Sequence, residues 1–373
     1  MQPLQSEGAP IWAGQNNWSQ AWEQKFSQWL TAEAQDPHFF VKIGVSVDCA
    51  DVVYGLRWIF ARQNDLKMAV HSHEGIFTNE SENELWSHLS TDSDWRRDSR
   101  FLSSLDWVMR RTYTKSLLLE SYPVEISADA FQAGTMYVNI ENGHHAQIIV
   151  STDYKNKKNM PLRFLVGTVP RSKNPLKLVN YWAGHQSTDQ KSGFRKFLWP
   201  VKQNGVWSFT RPDQMPHYSL EQYDPDLMNG SSLTYSGYIY QKIKPNLNNL
   251  AKIERGLEEL VEYIQSRVQI VEDGYQFCVN RPSCRDVASQ DYDDWSTPSR
   301  DARIADLFVE VTTDVNNSND KKANRLWKKF TENTEVFRFE GQPISLAEIY
   351  EIWSEKLYSS EPYDLPARRW GLQ

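Results

Sequence analysis

The chain has no run of about 18 apolar residues, so no membrane-spanning helix is expected. Its first 30 residues show no basic start leading into an apolar core, so no secretory signal is read there, although a mature form that had lost one would look the same. No glycine-rich phosphate loop occurs, which leaves nucleotide chemistry without support. Nor is there an excess of basic charge. Lys plus Arg number 41 against 48 Asp plus Glu, a net charge of −7, so nucleic acid is not an expected partner. Internal repeats and low-complexity tracts are absent. Cysteine is scarce: Cys49, Cys278 and Cys284 are all there is. An odd count leaves one thiol over if two pair.

What is present fits a folded protein. Of the 373 residues, 40% are hydrophobic and 24% charged, enough for a core without disulfide staples. The length suggests two or three domains. Aromatics are abundant, with 15 Trp, 17 Tyr and 16 Phe. Such side chains build cores, and their flat faces also stack on sugars.

Pattern divides the chain into four parts: an N-terminal arm and aromatic helix over 1–40, a core over 41–170 with a helical insertion, a β-rich segment over 171–245 and a helical region over 246–373. In the first part, Asn17 is placed to cap a helix running to Ala34, with Trp18, Trp22, Phe26, Trp29 and Leu30 on one face. In the second, residues 40–47 read as an approach segment. Asp48 then caps a helix whose Val52, Val53, Leu56, Ile59 and Phe60 predict burial. Strands are expected over 135–140, 144–151 and 162–169, forming an antiparallel meander. A hairpin is expected between 194–201 and 206–210. In the last part, Leu250 to Val268 carry an apolar stripe. Pro298 opens a further helix, and Ser345-Leu346-Ala347-Glu348 is a capping box.

Cys49 falls at the first position of the capped helix. Free backbone N–H groups and the positive end of the helix dipole stabilise a thiolate there and can help hold an oxyanion. A thiolate needs a base, usually histidine. His144 and His145 stand where a strand begins. Ala146, Ile148 and Val150 make the apolar face of that strand, and His145 alternates to the other face, which favours His145 over His144. A third group orients the imidazole. A symmetric hairpin sets Thr168 opposite His144 and Gly167 opposite His145, making Thr168 the geometric candidate and Asp153 the chemical one. The competing reading of Cys49 is a small core hydrophobe.

The series Asp48-Cys49-Ala50-Asp51 on a buried helix, followed by a strand starting Gly143-His144-His145-Ala146-Gln147-Ile148-Ile149-Val150 and then another strand, resembles the papain-like cysteine hydrolases. The likeness is to the NlpC-type cell-wall peptidases of bacteria and to transglutaminase-like enzymes, over roughly residues 40–170. It implies a papain-like core, Cys49 as nucleophile, His145 or His144 as base, and peptidoglycan or another peptide as substrate. Two departures stand out: a long insertion between Cys49 and the strands, and no third polar residue evident by motif. The segments from Cys278 to Arg303 and from Pro366 to Leu372 resemble only poorly characterised bacterial proteins.

His71, His73 and Glu74 have metal-ligand spacing without a second cluster, and read as a solvated loop. Asp291, Asp293 and Asp294 lack the EF-hand spacing and read as a turn cluster. No metal or cofactor is expected. Cys278 and Cys284 flank a Pro-containing turn that suits a disulfide, which would belong to an oxidising compartment. The expected location is therefore periplasmic or secreted, with a cytoplasmic protein as the alternative.

Together these readings predict an α+β fold: a papain-like core in which the Cys49 helix packs on a small antiparallel sheet, a β-rich segment and a C-terminal helical region. The expected activity is amide-bond hydrolysis by Cys49 and His145, with Asp48 as helix cap beside the oxyanion site. The alternatives are an inactive glycan- or protein-binding module on the same fold, and a transglutaminase-like acyl transferase or effector.

Overall fold

The computed structural model describes residues 9–72, 74–141, 145–156, 160–167, 171–180, 184–318 and 320–372. The chain begins with α1 (Gln20–Glu33), α2 (Phe39–Lys42) and α3 (Cys49–Gln63). A small hairpin of β1 (Ala69–Ser72) and β2 (Gly75–Thr78) precedes α4 (Ser99–Arg111) and the single-turn α5 (Thr114–Leu117). Then come β3 (Ser121–Pro123), β4 (Met136–Asn139), β5 (His145–Thr152), β6 (Leu162–Val166), β7 (Lys177–Val179) and β8 (Ser192–Phe197). These join one antiparallel sheet in the order β3-β8-β4-β5-β6-β7. A ribbon of β9 (Pro200–Gln203) and β10 (Val206–Phe209) leads to α6 (Tyr235–Ile243), the long α7 (Asn249–Cys278), α8 (Gln290–Trp295), α9 (Pro298–Asn317) and α10 (Lys321–Asn333). A second ribbon of β11 (Glu335–Phe339) and β12 (Gln342–Ser345), then α11 (Leu346–Ser354) and α12 (Pro366–Arg369), close the chain. The protein is α+β.

Strand alternation gives the sheet two apolar faces, and helices cover both. Met136, Val138, Ala146, Ile148, Val150 and Leu165 pack with α1, α3 and α4. Tyr137, Ile149, Phe164, Val166 and Phe194 pack with α6, α7, α9 and α11. The sheet is the shared middle layer. Segment 171–245 enters that layer directly, because β8 inserts between β3 and β4.

α3 starts where Asp48 caps it. The Asp48 carboxylate accepts from the Asp51 N–H at 3.0 Å, and the Asp51 carboxylate accepts from the Asp48 N–H at 2.8 Å. Reciprocal capping of this kind contributes about 1 kcal/mol. Every residue of α3 from Cys49 to Ala61 is buried, polar ones included. Arg57 is tolerated there because it forms a two-pronged ion pair with Glu23 and lies 3.2 Å from the centre of the Trp18 ring.

Several details differ from the sequence expectations. The first helix begins after Ser19, not Asn17, whose side chain instead accepts from Lys67. The approach segment over 40–47 starts in a short helix, Phe39–Lys42, and ends in an antiparallel bridge from Val47 to Ser172. Residues 194–197 lie within the central sheet, so only 200–209 forms the expected ribbon. The C-terminal region carries a β-ribbon among its helices. Cys278 and Cys284 form a disulfide. Among the described tryptophans none is exposed; Trp12, Trp18, Trp58, Trp86, Trp95, Trp107, Trp353 and Trp370 are buried in the core and the others are half-buried.

Candidate active site

Cys49 occupies the first turn of α3 with only 4% of its surface exposed. Its surroundings are polar. The sulfur has hydrogen bonds with the Ala146 backbone and the Thr114 side chain, and the Asp48, Asp51 and Arg300 charges lie close enough to interact with it. Burial pushes the thiol up to about 12, the Asp48 and Asp51 charges add to that, and the two hydrogen bonds oppose it. The resting sulfur is therefore a thiol at neutral pH, despite its place at a helix N-terminus.

Both capping carboxylates are also held above the ordinary carboxylate range, chiefly by burial. Arg171 reaches Asp51 at 2.8 Å and offsets part of that. Val47 pairs with Ser172, so the segment after β6 straps the start of α3. Gly167 makes the strap possible. A Cβ there would stand 2.2 Å from the Asp48 carbonyl oxygen and 2.9 Å from the Cys49 nitrogen.

His145 opens β5, but on the far side of the sheet from Cys49. Ala146, Ile148 and Val150 face α3, Ile149 faces α7 and α9, and His145 alternates to the same side as Ile149. The alternation that singled out His145 is correct, but its consequence reverses. The apolar face of β5 is the one that meets the cysteine helix, so the opposite face carries His145 away from it. Its ring is half-buried beside Arg303 and Arg300, and its Nε2 is a buried atom without a hydrogen-bond partner. Burial and those two cations bring its pKa down to about 3. His145 is a neutral ring in a cationic setting, on the face of β5 opposite the one that packs on α3.

No protein-family model matches the chain, and neither a curated protein nor a solved structure matches it. The site is therefore read from its own geometry. His144 and Thr168 lie outside the described residues. The pairing behind Thr168 is shifted: a symmetric hairpin would set Ile148 opposite Phe164, but Ile148 faces Leu165 and the register slips again near Val150. Asp153 follows the other end of β5. At about 3.3 Å per residue it is some 25 Å from His145, too far to orient the ring. Asp48 is the helix cap, as expected. His71 is not in a solvated loop; it lies on β1, stacks on Phe209 at 4.9 Å and is 3.7 Å from Glu120. Its partner His73 lies outside the described residues. Asp291, Asp293 and Asp294 sit on α8. No group of three metal-ligating side chains occurs among the described residues.

On the His145 side of the sheet is a cleft of about 500 Å³ between the β5–β7 edge, α7 and α9. Gly167 lines it, so it adjoins the start of α3. Sequence reasoning missed its arginines, Arg300 and Arg303. Their i, i+3 spacing behind Pro298 was a legible signal that one helix face carries two cations. Thr114 and Arg171 were also missed, because nothing in the local sequence ties either to Cys49.

Proposed function

We propose that the protein is a thiol-dependent amide-bond hydrolase built on a papain-like core, with Cys49 as nucleophile. One observation carries the reading: a cysteine in the first turn of a capped helix, its sulfur hydrogen-bonded to the backbone at the start of the adjacent antiparallel strand. That is where an acyl-transfer nucleophile has N–H donors at hand for the developing oxyanion. A thiol this weakly acidic needs a base at the moment of attack. In this reading the base is His144, two positions before Ala146 in the sequence. The Cys49 S–H proton passes to the imidazole while sulfur bonds to the carbonyl carbon. The imidazole then protonates the leaving amine, and water cleaves the thioester. Peptidoglycan peptides are the proposed substrate on the strength of the resemblance, and the Cys278–Cys284 disulfide favours an oxidising compartment.

The test is amine release from isolated peptidoglycan peptides by the intact protein and three variants. C49A and H144A should each lose activity by at least about a thousandfold, with melting nearly unchanged. H145A should retain most of it. Activity that survives C49A would end the proposal.

A second reading has its own support. The buried, protonated thiol suits a non-catalytic module that binds its ligand in the cleft beside α9. That reading expects no amine release from any variant.

A further inference from the structure

The cleft holds an unusual combination of unsatisfied groups. Arg303 lies 4.7 Å from the centre of the Tyr263 ring, yet its Nε and Nη2 are buried without hydrogen-bond partners. Across from it, Glu259 on α7 bonds Arg255 through one oxygen at 3.0 Å and leaves Oε1 buried without a partner. Both residues line the cleft, and they form no ion pair with each other among the described contacts. His145 adds a third orphan, its Nε2. Buried polar atoms left open in this way cost free energy unless something fills them.

We propose that this cleft binds a zwitterion of the amino-acid or short-peptide class, its carboxylate on Arg303 and His145 and its ammonium on Glu259. The charges of the site fit such a ligand better than a simple anion. Arg300, Arg303 and Lys177 line it, but so do Glu259, Glu262 and Asp306, which would repel a bare anion. A guanidinium presents two parallel donors to a carboxylate, and Arg303 has two to offer. The volume lies in the range of small-molecule sites. The inference rests on the cleft alone and does not depend on thiol chemistry at Cys49.

Isothermal titration of the full chain with alanylalanine, its C-terminal amide and its N-acetyl form tests this. Alanylalanine should bind at millimolar concentration or better. The amide and the acetylated form should each bind at least tenfold more weakly, and R303Q should weaken alanylalanine by a similar factor. Absence of binding at millimolar alanylalanine, equal affinity for the three probes, or an unaffected R303Q overturns the proposal. Should R303Q not fold, the three probes on the unaltered chain decide. C49A should bind alanylalanine like the unaltered protein, so a failed hydrolase reading and a failed cleft reading give different results.

Discussion

Cys49 and His145 stand on opposite sides of the central sheet, even though Ala146, the residue after His145, hydrogen-bonds the Cys49 sulfur through its backbone. One step along a strand flips the side chain to the other face. The sulfur is therefore served by the backbone of β5, while the imidazole belongs to the cleft beneath α7 and α9.

Cys49 should react slowly with iodoacetamide. A thiol held near 12 has a thiolate fraction at neutral pH lower than that of a free cysteine by a factor on the order of a thousand. Mass-spectrometric labelling of the native protein at pH 7.5 should show almost no adduct at Cys49, and rapid labelling after unfolding. Native labelling at the rate of free cysteine would contradict the burial and polarity described for this thiol.

Acid should destabilise the fold through His145. Its folded pKa of about 3 lies below the unfolded value of about 6.5. The unfolded chain thus binds the proton more readily between those values. The stability His145 allows is complete above pH 6.5 and is lost as pH falls toward 3. At pH 5 the loss is about 2 kcal/mol relative to pH 7. Denaturant titrations at both pH values should show H145Q losing about that much less than the unaltered protein. An identical loss in both would show that the ring does not titrate as described.

Gly167 should not accept a side chain. The atoms its Cβ would meet are backbone atoms of Asp48 and Cys49, which cannot swing aside. G167A should lower stability by about 3 kcal/mol, near the upper end for overpacking, and should disturb the start of α3. Thermal melting measures the first effect, and loss of amide-exchange protection at Asp51 and Val52 the second. Unchanged melting would show that the strap can move off the helix.

Arg267 ties α7 to α9 and to the C-terminal segment. It is buried, pairs with Asp301, and donates to the carbonyls of Ser359 and Arg369, each at 3.1 Å. R267M should cost about 3–5 kcal/mol, because it leaves the Asp301 carboxylate buried without its cation. Denaturant unfolding checks this. The double variant R267M/D301L should recover part of the loss, since removing both charges removes the uncompensated one.

Much of this protein is written in local sequence. Asp48 followed by the apolar positions from Val52 to Phe60 specifies a capped, buried helix. Thr297-Pro298 and Ser345 with Glu348 mark helix starts where helices do begin. The meander over 135–169 and the turn that joins Cys278 to Cys284 were likewise legible, because capping, alternation and turn chemistry act over a few residues. Tertiary structure decided the rest. Only the fold reveals that β8 enters the middle of the sheet, since strand order depends on partners distant along the chain. Only the fold reveals that β5 is covered on both faces, so the apolar side of the strand seats Cys49 and the polar side turns His145 toward Arg300 and Arg303. Alternation separates two faces, but long-range packing decides what each of them meets.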